Sequence, residues 1–113
     1  MNKLDKAKDS RLKKTYGISL ENWQEMLSKQ KGVCYICKRM PNSKVLCVDH
    51  IHVRAFKSLP EEDKKQYVRG LLCFMCNTAL KCIEKTTDGK RNRQMLEGIV
   101  RYFTEFKLKG EIQ

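Results

Sequence analysis

No stretch of this 113-residue sequence approaches the roughly 18 consecutive apolar residues that a membrane span needs. Nor does an apolar targeting segment open it: the first 14 residues, MNKLDKAKDSRLKK, are polar and carry six Lys or Arg. A soluble, intracellular protein is therefore expected. Acidic residues are scarce, 13 against 24 basic ones, and the resulting charge of +11 makes a polyanion the expected partner. The basic residues do not line one amphipathic helix with a large apolar face, which ranks a membrane surface below nucleic acid. Hydrophobic residues make up 41% and charged ones 33%, so the core should be thin and in need of a further staple. The length suits one domain, 1–113, and there is no repeat or low-complexity tract.

The staple is sought among six cysteines. In a reducing compartment paired cysteines more often bind metal than form disulfides. Cys34-Tyr35-Ile36-Cys37 and Cys73-Phe74-Met75-Cys76 each have the spacing of a knuckle that offers two thiolates to one tetrahedral Zn²⁺. The 35 residues between the pairs (38–72) exceed the common zinc-finger gap, which leaves two unrelated redox pairs as the alternative. Neither pair follows a strand in a thioredoxin-like βαβ pattern, which weakens that alternative. A closed four-cysteine site has no open coordination position, so its zinc is structural and any catalysis lies elsewhere. Cys47 and Cys82 lack partners at ligand spacing and read as small packing residues.

Local signals divide the chain as follows. Residues 1–15 read as a loose basic helix or an arm, with Leu4, Ala7 and Leu12 sharing a face; residues 1–33 combine this arm with a helix. That helix, about 20–31, is capped by Ser19, carries Leu20, Trp23, Met26 and Leu27 as a stripe and stops at Gly32. Lys44 to His52 is β-branched and reads as a strand ending near His50. Ser58 and Glu61 have capping-box spacing with Pro60 in the first turn, predicting a short helix to about Gln66. A second strand, Tyr67 to Leu72, and a helix from Phe74 closed by Thr87-Asp88-Gly89 complete a core over 34–84. The tail, 85–113, holds a last helix, about 91–107, with Met95, Ile99, Tyr102, Phe103 and Phe106 on one face. That face is expected to pack on the domain itself or on a second copy, so a homodimer is open.

Both histidines of the chain fall in Asp49-His50-Ile51-His52, at the end of the first predicted strand. Asn77 directly follows the last cysteine of the second pair. A zinc that clamps the two pairs can thus bring together a carboxylate, an imidazole and an amide oxygen. Hard oxygen donors suit Mg²⁺, and imidazole, the side chain that ordinarily titrates near neutral pH, suits deprotonation of water. The blander reading is that Asp49 and His50 merely finish a strand.

The segments YGISLENWQEML..Q.GVCYIC, VDHIH and VRGLLCFMCNTAL, between Lys14 and Ile83, resemble the recombination endonuclease VII family of phage and bacterial nucleases. The resemblance implies an α+β fold, a small zinc-stabilised ββα-metal (His-Me finger, HNH-like) domain with flanking helices. It further implies a metal-dependent DNA endonuclease that hydrolyses phosphodiester bonds in a bacterial or phage-infected cell. Carried over residue by residue, Asp49 and Asn77 would hold a catalytic Mg²⁺ or Mn²⁺, and His50 would be the general base. Cys34, Cys37, Cys73 and Cys76 would hold one structural Zn²⁺. His52 would contact the scissile phosphate, orient His50 or be structural. Ile51 stands where relatives often carry an acidic residue, and Leu80 where the best-known member does, so no auxiliary carboxylate ligand is expected. The long C-terminal region with which the junction-resolving member dimerises is not seen, so junction resolution is not implied. The rival readings are a non-catalytic zinc-binding DNA module and a structural zinc accessory protein.

Overall fold

The computed structural model describes residues 2–42, 45–84 and 89–106. Two compact units emerge, residues 1–77 and 78–113.

The first unit starts with two helices. Helix α1 (Lys3–Tyr16) forms from the segment read as a loose helix or arm. Its ends explain why a polar sequence orders: the Asn2 side chain accepts the Asp5 N–H, and Gly17 closes the helix in the left-handed conformation. A Cβ at Gly17 would run into the Glu61 carbonyl, so both the backbone angle and the close approach require glycine. Lys64, buried despite its charge, donates from Nζ to the Lys14 carbonyl at 2.7 Å and so satisfies an orphan acceptor of the last turn. Asp9 accepts the Leu20 N–H at 2.8 Å and pairs with Lys13 at 3.0 Å. The backbone bond, then Lys13, hold its carboxyl below the usual range. Helix α2 (Leu20–Lys29) starts at Ser19 as expected, with a capping box completed by Asn22.

Strands β1 (Cys47–His50) and β2 (Val68–Leu72) pair antiparallel as Cys47↔Leu72, Val48↔Leu71 and Asp49↔Gly70, then skip to His50↔Val68. The skip makes Arg69 the extra residue of a β-bulge. Strand β1 ends at His50 as expected but starts only at Cys47: Val45 and Leu46 lie outside it, and Lys44 lies outside the described residues. Between the strands the Ser58–Glu61 capping box does not form. Ser58 closes a 3-10 turn, Phe56–Ser58, and extended Pro60 takes the N-cap of α3 (Glu61–Lys64) without a side-chain bond. A second 3-10 turn, Lys65–Tyr67, leads into β2.

Leu71 is the fully buried centre of this unit, among Ile18, Leu20, Leu46, Val48, Phe56 and Leu72. Gln30, just past α2, ties the helices to the hairpin. Its Nε2 donates to the Val33 and Leu71 carbonyls, and its Oε1 accepts the Leu71 N–H, all at 2.9 Å. The amide thereby pairs with β2 as a neighbouring strand would. Gln30→Ala should leave the buried Leu71 N–H unsatisfied and cost on the order of 2–4 kcal/mol, read by thermal or denaturant unfolding. An unchanged midpoint would mean that water replaces the amide without loss.

Helix α4 (Phe74–Glu84) begins in the first unit and ends in the second. In the second unit, α5 (Gly89–Glu105) spans nearly the expected range, while Thr87 and Asp88 lie outside the described residues. Ile99, Tyr102 and Phe103 of its apolar stripe, and Phe106 just after it, are exposed. Among the described residues no helix is long and apolar enough to cross a membrane.

Candidate metal and nuclease site

The two CxxC pairs come together. The Sγ atoms of Cys34, Cys37, Cys73 and Cys76 all lie within 4.8 Å of one another, with Cys37 and Cys73 at 3.9 Å. Four thiolates at the usual Zn–S distance stand about 3.8 Å apart, so the quartet matches one tetrahedral ion. The first knuckle turns on Lys38, whose φ is positive and whose N–H bonds the Cys34 carbonyl at 3.0 Å. The Tyr35 N–H donates to the Leu71 carbonyl at 3.1 Å and fastens this knuckle to β2. The second knuckle is the junction of β2 and α4, where the Cys76 N–H points at Cys73 Sγ, 3.4 Å away.

The thiols behave as a ligand set. Burial raises the Cys34 thiol, but backbone hydrogen bonds at Cys73, Cys37 and Ile36, aided by the Cys37 side chain, bring it down to about 6. Burial, then the side chains of Cys73, Cys34 and Cys37, push Cys76 up to about 12. Four sulfurs this close cannot all shed their protons without a cation among them, and a zinc ion would supply that cation. Cys47 is half-buried and Cys82 exposed. The packing role expected of both is corrected for Cys82, whose place on α4 faces solvent.

Asp49 sits on β1 and is only 5% exposed. Its carboxylate is held by Arg69, Nε to Oδ2 at 2.7 Å and Nη2 to Oδ1 at 3.1 Å. Sequence reading missed Arg69 because a bulge depends on the pairing of two strands and leaves no mark in either alone.

His50, next on β1, turns towards a different set of neighbours. Its ring stacks on Phe56, with centroids 4.0 Å apart and planes 5° off parallel, and is flanked by Tyr16 at 5.9 Å and His52 at 5.0 Å. Left-handed Ala55 (φ 60°) turns the chain just before Phe56. His50 Nδ1 lies 3.1 Å from the Ile51 carbonyl. A carbonyl only accepts, so Nδ1 is the donor in this contact, and in the neutral ring Nε2 is then the acceptor. Burial, then the charge of Cys47, raise the pKa of the Tyr16 hydroxyl, so that ring stays neutral beside the imidazole. A hollow of about 390 Å³ lies against His50, lined also by His52, Val53, Phe56 and Lys57. It offers room for a phosphodiester with an imidazole and an ammonium at its wall.

Asn77 stands in the first turn of α4, its N–H bonded to the Cys73 carbonyl at 2.9 Å. Cys73 follows Leu72, which pairs with Cys47 two residues before Asp49. The cysteine quartet and the hairpin therefore fix the starting point of the helix that carries Asn77. Among the described residues no second group of three or more His, Cys, Asp or Glu donors gathers around one point. Asp49 therefore belongs to no such cluster of three or more donors.

The family model described as recombination endonuclease VII matches residues 9–105. The Gene 59 proteins of Mycobacterium phage D29 and Mycobacterium phage L5 are similar to this chain, at 40% and 39% identity over 82 residues. Each match covers 67% of this chain and 43% of the relative, so the chain spans less than half the length of these curated relatives. The match spans α2, the knuckles, the hairpin, α4 and α5, and with it the gathered cysteines; the chain belongs to the recombination endonuclease VII family of nucleases.

Proposed function

We propose that this chain is a metal-dependent DNA endonuclease of His-Me finger type, using His50 as general base and Asp49 and Asn77 as ligands of one Mg²⁺ or Mn²⁺. The observation that carries the reading is the posture of His50: Nδ1 against a carbonyl, the ring stacked on Phe56, and the residue on the wall of a hollow of about 390 Å³, with Nε2 as the nitrogen that would act as base. A free imidazole nitrogen held in place is what proton abstraction from water requires.

The donor set at Asp49 and Asn77 suits the ion. One carboxylate and one amide oxygen are a small, hard set, and Mg²⁺ is usually held by one or two carboxylates while keeping waters and phosphate oxygens. When bound, the ion would act as a Lewis acid on the phosphodiester and stabilise the leaving oxygen. The remaining work falls to the protein. His50 Nε2 would take a proton from water as the water oxygen bonds to phosphorus, and the ester P–O bond breaks with its electron pair on the leaving oxygen, which takes a proton from solvent. Lys57 and His52 line the same hollow and would hold the phosphodiester. His52→Ala separates that role from a structural one.

The deciding experiment incubates zinc-loaded protein with plasmid, nicked, linear and four-way DNA, with and without Mg²⁺ or Mn²⁺. Cleavage that requires the divalent ion is the expected result. Binding without cleavage on every substrate would leave a zinc-dependent DNA-binding module instead.

Binding itself should be dominated by phosphate contacts, given a net charge of +11. The logarithm of affinity should fall with the logarithm of salt by roughly 0.9 per phosphate neutralised, with little sequence preference. A nearly flat salt dependence in a filter-binding or anisotropy titration would contradict this.

A further inference from the structure

Arg69 is the extra residue of the bulge, and the bulge aims its guanidinium at the carboxylate proposed to hold the catalytic metal. Had β1 and β2 kept one register, Arg69 would lie opposite His50 and Gly70 opposite Asp49. The skip from Asp49↔Gly70 to His50↔Val68 instead lets Arg69 engage Asp49 with two donors while Nη2 also lies 3.4 Å from the His50 carbonyl. Bulges commonly re-aim a side chain beside a functional site.

We propose that Arg69 is a cation place-holder, a positioning residue whose guanidinium occupies Asp49 while no divalent metal is bound and which competes with that metal for the carboxylate. The inference rests on the reading of Asp49 as a metal ligand.

The physics runs in three steps. A carboxylate side chain only 6% exposed needs a compensating positive charge, because an orphaned buried anion is strongly destabilising. Arginine meets that need with a planar fork matched to a carboxylate, using both oxygens at once. A divalent ion approaching the same oxygens meets both that occupation and the repulsion of a fixed positive charge. The Arg69 side chain is 31% exposed, so the guanidinium can reach water when it gives way. Metal affinity is thereby traded for integrity of the metal-free site.

The opposite signs of two readouts test the proposal. Arg69→Gln in the zinc-loaded chain should lower the melting temperature without divalent metal, because Asp49 loses its partner. The same variant should bind Mn²⁺ more tightly, by about tenfold in an electron paramagnetic resonance or calorimetric titration without DNA. Its melting temperature should accordingly rise more on adding Mn²⁺ than that of the unmodified protein. An arginine that merely braces the hairpin predicts the reverse, a weaker or unchanged Mn²⁺ affinity with no extra thermal gain, and that result overturns the proposal.

Arg69→Lys keeps a charge but loses the fork. It should fall between the two in Mn²⁺ affinity, so the question stays decidable if the glutamine variant does not fold; affinity no tighter than that of the unmodified protein overturns the proposal there too. Asp49→Ala keeps the two levels apart. If it binds Mn²⁺ as well as the unmodified protein, the metal assignment and the place-holder fall together. If it loses Mn²⁺ while Arg69→Gln fails to gain it, only the place-holder falls.

Discussion

His50→Ala should lower the cleavage rate at saturating Mg²⁺ by about 10²–10⁴-fold, the usual range for loss of a general base, while zinc content and DNA affinity hold. The substitution removes Nε2 and the stacking on Phe56 but no hydrophobic side chain from the centre around Leu71. A modest loss of stability is therefore expected alongside a large loss of rate. Metal ligands should behave otherwise. Asp49→Ala and Asn77→Ala weaken the ion, so raising Mg²⁺ or supplying Mn²⁺ should recover part of their activity and none of that lost in His50→Ala. Phe56→Leu gives a graded control, since it leaves the base in place and removes only the ring that fixes its plane. Wild-type cleavage by folded, zinc-loaded His50→Ala would remove His50 from the chemistry.

Elements whose cause is local were legible in the sequence. Ser19 caps α2 because its own side chain and that of Asn22 lie within one turn, and the knuckles follow from two residues between cysteines. The Ser58 box had the same local look and failed because Leu59, held extended by the proline after it, ended the preceding turn and Pro60 took the cap position itself. Helix α1 was under-read for the opposite reason. Its apolar pattern is thin, with Leu4 and Ala7 exposed, and its order comes from Asn2, Gly17 and contacts made by Asp9 and Lys64 across the fold. At the site, Asp49, His50 and Asn77 were visible as chemistry at suggestive positions. The bulge that presents Arg69, the ring beneath His50 and the carbonyl beside its Nδ1 are products of strand pairing and loop folding, which no single-segment pattern encodes.

Removing zinc should affect the whole first unit and not only its knuckles. Purified protein should contain about one Zn²⁺ per chain, and strong chelation should abolish cooperative unfolding and much of the helical circular dichroism. The argument is one of magnitude. Structural zinc contributes roughly 10–16 kcal/mol to small zinc-finger peptides at neutral pH, while whole domains are stable by only about 5–15 kcal/mol. Here the core is thin, and the ion would join the segment after α2 to the junction of β2 and α4. Tyr35 and Gln30 contact the buried Leu71 backbone from the same side, so loosening the knuckle exposes the centre of the unit. Cys73→Ser should therefore lose zinc and most of the stability, and should lose cleavage as well, because α4 would no longer start at a fixed point beneath Asn77. Cys47→Ser and Cys82→Ser, outside the quartet, should keep full zinc occupancy. Metal analysis without zinc, together with an unchanged melting temperature for Cys73→Ser, would show that the four thiols pack without an ion and that the fold stands on its hydrophobic contacts alone.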